Sequence, residues 1–228
     1  MNWLGKQQPP GLVAMPALDW MWTETAIALR NLELPPGSEV EVAHGTTALV
    51  LKRNALVAHF LTRPKLEWLL FLDADMVFPP HTVRRLLNWN VDVVSGLYSY
   101  KGGAHGYEPV VEWTGNGADR AIGDQGGLVD VKRVGAGCLL IRRRVVKDKV
   151  ITPWFEANAE DIQEDVAFCR KVRAAGLKVH VDTSLVVGHL TPVAVTPDFG
   201  YAQQIVGEIQ RARRDGLASL TVQLKDAA

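Results

Sequence analysis

Leu66-Glu67-Trp68-Leu69-Leu70-Phe71-Leu72-Asp73-Ala74-Asp75-Met76 decides how this chain folds. The apolar run at 66–72 is too short for a comfortable helix and too hydrophobic for a surface. It reads as a strand buried on both faces, as the middle of a parallel sheet requires. Two carboxylates one residue apart close it. Open α/β sheets bind ligands just beyond the carboxyl ends of their strands, so Asp73 and Asp75 stand where a site is expected. Side chains alternate along a strand but converge in the turn after it. One carboxylate can then hold a hard divalent cation while the other takes a hydroxyl or a metal-bound water. A helix-capping role suits them less, because Pro79-Pro80 starts the next helix too far along.

Outward from this stretch the pattern alternates. Residues 11–16 read as a first strand ended by Pro16, and residues 23–34 as a helix stopped by Pro35-Pro36-Gly37. Residues 39–43 form a second strand. A helix over 47–61 follows, with Leu49, Leu56 and Phe60 on one face and Pro64 past its end. After the 66–72 strand, Pro79-Pro80 opens a helix anchored by Val83, Leu86 and Leu87, and residues 91–96 are another buried strand. This order predicts a mostly parallel central sheet with helices on both faces.

The second half is less regular. Glycine-rich residues 101–127 suggest an excursion of short antiparallel strands and loops. Residues 134–141 read as a strand entered through small residues, where backbone can approach a ligand closely. A helix over 163–175 carries Val166, Cys169 and Val172 inward and ends at Gly176. Residues 178–181 and 184–187 read as short strands leading to Gly188-His189, and residues 201–214 as a helical tail.

Composition bounds the possibilities. The 228 residues hold 47% hydrophobic and 22% charged side chains, which suits one globular α/β domain and excludes disorder. With 25 basic and 25 acidic residues, no global field favours nucleic acid or anionic lipid. Cys138 and Cys169 lie far apart in apolar surroundings and read as buried free thiols in a reducing compartment. No apolar run approaches a membrane-spanning length, so a soluble, cytoplasmic protein is expected.

Six stretches occur in an order that resembles the GT-A glycosyltransferases, specifically family-2-like members. They are Arg53-Asn54-Ala55-Leu56-Val57, the run from Trp68 through Asp73-Ala74-Asp75-Met76, Val94-Ser95-Gly96-Leu97-Tyr98, Gly135-Ala136-Gly137-Cys138-Leu139-Leu140-Ile141-Arg142, Glu164-Asp165-Val166-Ala167-Phe168-Cys169-Arg170 and Val187-Gly188-His189. The likeness extends from about residue 11 to 190. It implies a single GT-A (Rossmann-like) domain over 1–228. A nucleotide-binding half would occupy about 11–100, an acceptor and catalytic half about 101–190, and a C-terminal helical tail 200–228.

The resemblance also implies an activity: transfer of a sugar from a nucleotide-sugar donor to a hydroxyl acceptor, in the hexosyltransferase class. The departing diphosphate needs a cation, Mn²⁺ or Mg²⁺. Asp75 would be the direct metal ligand, Asp73 the ribose or metal-water contact, and His189 would complete the metal sphere. Imidazole favours manganese over magnesium. Asp165 would be the general base of an inverting reaction, with Glu164 orienting the acceptor or Asp165. Pro16, Ala17, Arg53, Ala74 and Gly137 fall at nucleotide-sugar contacts. The base is UDP-type rather than GDP-type by family weight alone, because the acidic residue many relatives carry after the second strand is replaced by Ala43-His44-Gly45-Thr46-Thr47. Residues 191–197 read as a segment that could close over the donor.

Each role has a plainer rival. Glu164 and Asp165 also suit a first helical turn. Glu160-Asp161 is a competing acidic pair, read as solvated loop. His189 alone would be structural, as His44, His59, His81, His105 and His180 are read to be. Trp154 and Phe155 suit core or an acceptor platform. A retaining mechanism, a nucleotidyltransferase and a non-catalytic nucleotide-sugar-binding module remain alternatives, although Pro16-Ala17-Leu18-Asp19-Trp20 is unlike a phosphate loop. The acceptor is a glycan, a small molecule or, if Lys101 and Arg142–Arg144 join Arg211, Arg213 and Arg214 in one patch, a nucleic acid.

Overall fold

The computed structural model describes residues 8–101, 108–114, 126–157 and 163–192. The chain through Leu190 is one compact unit, and 191–228 is a second, of which Thr191 and Pro192 are described. The helical reading of 201–214, the acidic pair Glu160-Asp161, His105 and the arginines at 211, 213 and 214 lie outside the described residues.

An eight-stranded sheet forms the centre. In chain order its strands are β1 (Leu12–Pro16), β2 (Glu39–Ala43), β3 (Trp68–Leu72), β5 (Val93–Leu97), β6 (Val111–Trp113), β7 (Leu128–Val134), β8 (Cys138–Arg142) and β9 (Val179–Val186). Their order across the sheet is β2-β1-β3-β8-β5-β9-β7-β6. Six strands run one way, and β7 and β8 run against them. A separate antiparallel pair joins β4 (Met76–Val77) to β10 (Gly188–His189). The domain is thus a single α/β unit with a large, mostly parallel sheet flanked by helices, plus a two-stranded ribbon: a GT-A-like arrangement.

Strand alternation explains the layers. Leu69 and Phe71 of β3, with Leu12, Leu139 and Ile141 from its neighbours, face α2 (Leu49–Leu61) and α4 (Glu164–Ala174). Trp68, Leu70 and Leu72, with Val13, Met15 and Leu140, face α1 (Thr23–Arg30) and α3 (Thr82–Asn88). All five residues of β3 are buried. At about 1.5–3 kcal/mol for each large apolar side chain, this one strand contributes on the order of 10 kcal/mol of burial.

Several sequence expectations shift in detail. Leu49 begins α2 but stays exposed, while Lys52, Arg53, Leu56, Val57 and Phe60 are the buried residues. Leu56 and Phe60 face inward as expected, and Lys52 and Arg53 share that face; Leu49, in the first turn, lies short of the core. Residues 134–141 are not one strand. Gly135-Ala136-Gly137 is a kink at which the chain leaves β7, paired to β9 and β6, and enters β8, wedged between β3 and β5. Residues 179–186 form one strand, β9, continuous through Asp182-Thr183. Asp182 is fully buried there and accepts hydrogen bonds from Arg85 Nε (2.6 Å) and Trp89 Nε1 (2.8 Å), so a charged residue fits mid-strand. Val166 is only half-buried, while Cys169 and Val172 are buried as expected. Cys138 and Cys169 are buried free thiols, each pushed up to about 12 by burial.

Candidate functional site

The site begins where β3 ends. Asp73 N–H donates to the Gly137 carbonyl (3.1 Å), and Met76 N–H closes a tight turn onto the Asp73 carbonyl (3.2 Å). The turn points Asp73 and Asp75 into different surroundings. The next helix starts beyond His81 with no side-chain cap, so neither aspartate serves it.

Asp73 meets Arg53. Only 1% exposed, Arg53 donates through Nη2 to Asp73 (2.9 Å), through Nε to Glu164 (3.2 Å) and through Nη1 to the Ala136 carbonyl (3.4 Å). One guanidinium thus ties the end of β3, the first turn of α4 and the kink before β8 into a single corner. Burial lowers its basicity, but Asp73, Glu164 and Asp165 more than offset this and raise it. Enclosed in this way, Arg53 orients the two carboxylates and is itself shielded from solvent.

Small residues are needed at the kink because Tyr98 packs against it. Gly137 N–H donates to Tyr98 Oη (3.0 Å), and a Cβ on Gly135 would lie 1.9 Å from that oxygen. A Cβ on Gly137 would lie 3.3 Å from Asp73 Oδ2. Burial and the charges of Asp73 and Asp165 push the Tyr98 hydroxyl well above its ordinary range, so it stays neutral.

Asp75 has different company. The β4–β10 ribbon sets His189 opposite Met76, which brings its ring beside Asp75. His189 Nδ1 lies 2.9 Å from the Ser99 carbonyl, which can only accept, so Nδ1 carries the proton. In the neutral ring, Nε2 then presents its lone pair 3.6 Å from Asp75 Oδ1, too far for a hydrogen bond. Asp75 Oδ1 is buried and makes no hydrogen bond, while Oδ2 pairs with Lys101 Nζ. Burial alone would raise the Asp75 carboxyl, but Lys101, and His189 in its protonated form, hold it below the usual range.

Asp165 sits on the first turn of α4 and lines a small recess with Tyr100, Glu112, Arg133 and Gly135. Burial, and next the charge of Glu164, push its carboxyl up to about 6; Arg53 and the Val166 and Ala136 amides only partly oppose this. Val166 N–H donates to its Oδ1 at 2.7 Å. A carboxylate poised near neutrality is suited to take a proton.

A cavity of about 210 Å³ opens over the turn, lined by Pro16, Leu18, Trp20, Leu49, Asp73, Ala74 and Asp75. Four of these carry positions singled out from sequence: Pro16, Asp73, Ala74 and Asp75. Ala17 is buried beside it, its amide on Ala43 (2.9 Å) and its carbonyl taking the Lys52 ammonium, which also reaches the Gly45 carbonyl. Sequence reasoning missed Leu18, Trp20 and Leu49, which are 53%, 60% and 42% exposed. Their signal was apolar side chains just past β1 and at the start of α2, where a solvated loop would be polar. Lys52, Tyr98 and Lys101 were missed as well.

A larger cleft of about 410 Å³ lies at the other end of β3, against Glu67, Asp92 and Arg142–Arg144. Arg143 is spent on the carbonyls of Phe60, Leu61, Arg63 and Leu66, and Arg144 on Asp92. Arg142 pairs across from Trp68, whereas Lys101 reaches Asp75 beyond the opposite end of that strand. Lys101 and Arg142–Arg144 therefore form no common patch. Trp154 packs against the core with its Nε1 on Val146 (2.7 Å), and Phe155 is fully buried, which makes both structural.

No family model and no curated protein sequence matches this chain. Solved structures do. A197 from STIV superposes with a TM-score of 0.59 at 22% identity, covering 83% of this chain and 91% of its own. Residues 1–349 of S. aureus TarS, in complex with UDP-GlcNAc, give 0.51 at 12% identity over 86% of this chain and 65% of that one. A longer S. aureus TarS chain gives 0.53 at 12%, with 40% of its length covered. These likenesses establish the fold. Among the described residues no helix is long and apolar enough to cross a membrane.

Proposed function

We propose that this protein is a metal-dependent glycosyltransferase that moves a sugar from a nucleotide-sugar donor, UDP-type over GDP-type, to a hydroxyl acceptor with inversion. The observation that carries the reading is Asp75 Oδ1, buried, unbonded and 3.6 Å from Nε2 of His189, whose ring is set by the Ser99 carbonyl. A separation of 3.6 Å suits two ligands of one small cation better than it suits a hydrogen bond. Among the described residues no group of three His, Cys, Asp or Glu side chains is placed to hold a metal ion. Two protein ligands with the donor's phosphates completing the set is therefore the arrangement the donor chemistry requires. Mn²⁺ or Mg²⁺ there would supply Lewis-acid stabilisation of the departing diphosphate.

The chain's own residues do the rest. Asp73, fixed by Arg53, takes a donor hydroxyl or a metal-bound water. Leu18, Trp20 and Leu49 give the nucleoside an apolar wall, with Trp20 offering a face for stacking. Asp165 accepts the acceptor hydroxyl's proton as that oxygen attacks the anomeric carbon. Glu164, held by Arg53, keeps a second negative charge beside Asp165 and so maintains its affinity for the proton. The fold neighbour that holds UDP-GlcNAc supports a nucleotide-sugar donor and a uridine base.

A thermal-shift panel of UDP, GDP and their sugars, with and without Mn²⁺, tests the assignment, because ligands that bind the folded form raise its melting point. Metal-dependent stabilisation by UDP that is lost in Asp75→Asn is expected. Full transfer activity in excess chelator refutes the metal role.

A further inference from the structure

Asp75 already holds a cation of the protein's own. Lys101 Nζ pairs with Oδ2, the oxygen turned away from His189, and the two side chains are 34% and 27% exposed. The same short segment past β5 does two things: the Ser99 carbonyl sets the His189 ring, and two residues later Lys101 neutralises the carboxylate that ring faces. With its charge offset by an ammonium, Asp75 attracts a divalent cation weakly, and two like-signed ions crowd one carboxylate. A diphosphate changes the balance, since its negative charge is enough for both cations. The lysine stem is flexible and half in solvent, so its ammonium can move without backbone change.

We propose that Lys101 is a resident counter-ion of Asp75 that passes to the donor's phosphate oxygens on binding, so that divalent cation and diphosphate enter the site together. This rests on the glycosyltransferase reading. It makes Lys101 a donor-binding residue and explains how a site with two protein metal ligands avoids holding metal unproductively when empty of donor.

Mn²⁺ binding, followed by the electron-spin-resonance signal of the free ion, tests this in the wild type, Lys101→Met, Lys101→Arg and Asp75→Asn, each with and without UDP. Without UDP, Lys101→Met is expected to hold Mn²⁺ about two- to fivefold more tightly than the wild type, the range for loss of one half-exposed charged contact. The same variant should bind UDP about fivefold more weakly when metal is absent. Lys101→Arg, which keeps the charge, should follow the wild type. Equal Mn²⁺ affinity in the wild type and Lys101→Met, with binding lost in Asp75→Asn, overturns the exchange and leaves the metal site standing. No Mn²⁺ retained by the wild type even with UDP overturns the metal reading and the exchange with it.

Discussion

Replacing Asp165 by Asn separates chemistry from stability in opposite directions. The carboxyl is pushed from an ordinary 3.8 to about 6, first by burial and then by Glu164. At roughly 1.4 kcal/mol per tenfold change in proton affinity, the ionised side chain costs the folded state on the order of 3 kcal/mol at neutral pH. The sign follows from linkage. A folded carboxyl that holds its proton more tightly than the unfolded one favours folding in acid, and that advantage is lost as pH rises from about 4 through about 6. Asparagine never ionises, and its carbonyl still accepts from Val166 N–H. Asp165→Asn is therefore expected to match the wild type near pH 4 and to exceed it by about 1–3 kcal/mol above pH 7, or roughly 3–9 °C in melting temperature. Donor binding should persist while transfer collapses, and wild-type kcat/KM should rise with pH through about 6. Thermal unfolding of both proteins at pH 4 and 7.5, beside a transfer assay, checks all of this. A melting difference that is the same at both pH values refutes the raised carboxyl; normal transfer by the variant refutes the base and points to a retaining mechanism.

Trp20→Ala should weaken UDP binding about five- to a hundredfold, the worth of one base stack, without moving the melting temperature, because the ring is 60% exposed; calorimetric titration decides. Arg53→Met strands the carboxylates of Asp73 and Glu164 beside a buried apolar stem, and urea unfolding should show a loss of about 3–5 kcal/mol. Gly135→Ala drives a methyl group into the Tyr98 hydroxyl and should cost about 1–3 kcal/mol by the same measurement, with donor affinity falling as Gly137 shifts against Asp73.

What the sequence revealed depended on how local its physics was. The 66–72 run declared β3 because burial on both faces leaves no polar alternation, and the two aspartates followed from strand direction alone. Helix α4 was legible from first-turn acids and from Gly176, whose φ of 78° ends it in the left-handed region. The kink at Gly135-Ala136-Gly137 was not, since the small residues answer to Tyr98, almost forty positions away. His189 was placed by motif order, but its partner Ser99 belongs to a segment with no signal of its own. Lys101 read as one of several surface cations because nothing nearby in sequence indicates that it folds back onto Asp75. Leu56 and Phe60 of α2 were legible as inward, but Leu49 on the same face opens onto the cavity, and the burial of Lys52 and Arg53 depends on carbonyls and carboxylates that other elements deliver.

Strand β8 sits between β3 and β5, yet it is synthesised after both, with Trp68 matched to Arg142 and Val93 to Ile141. Until that late segment arrives, the two earlier strands have no shared ladder, and the corner joining Asp73 to Gly137 does not exist. Such long-distance pairing must close a long loop before its contacts form, and so it folds slowly. A nascent or clipped chain ending short of residue 138 thus lacks the keystone of its own recess, and the corner that joins Asp73 to Gly137 is either complete or absent.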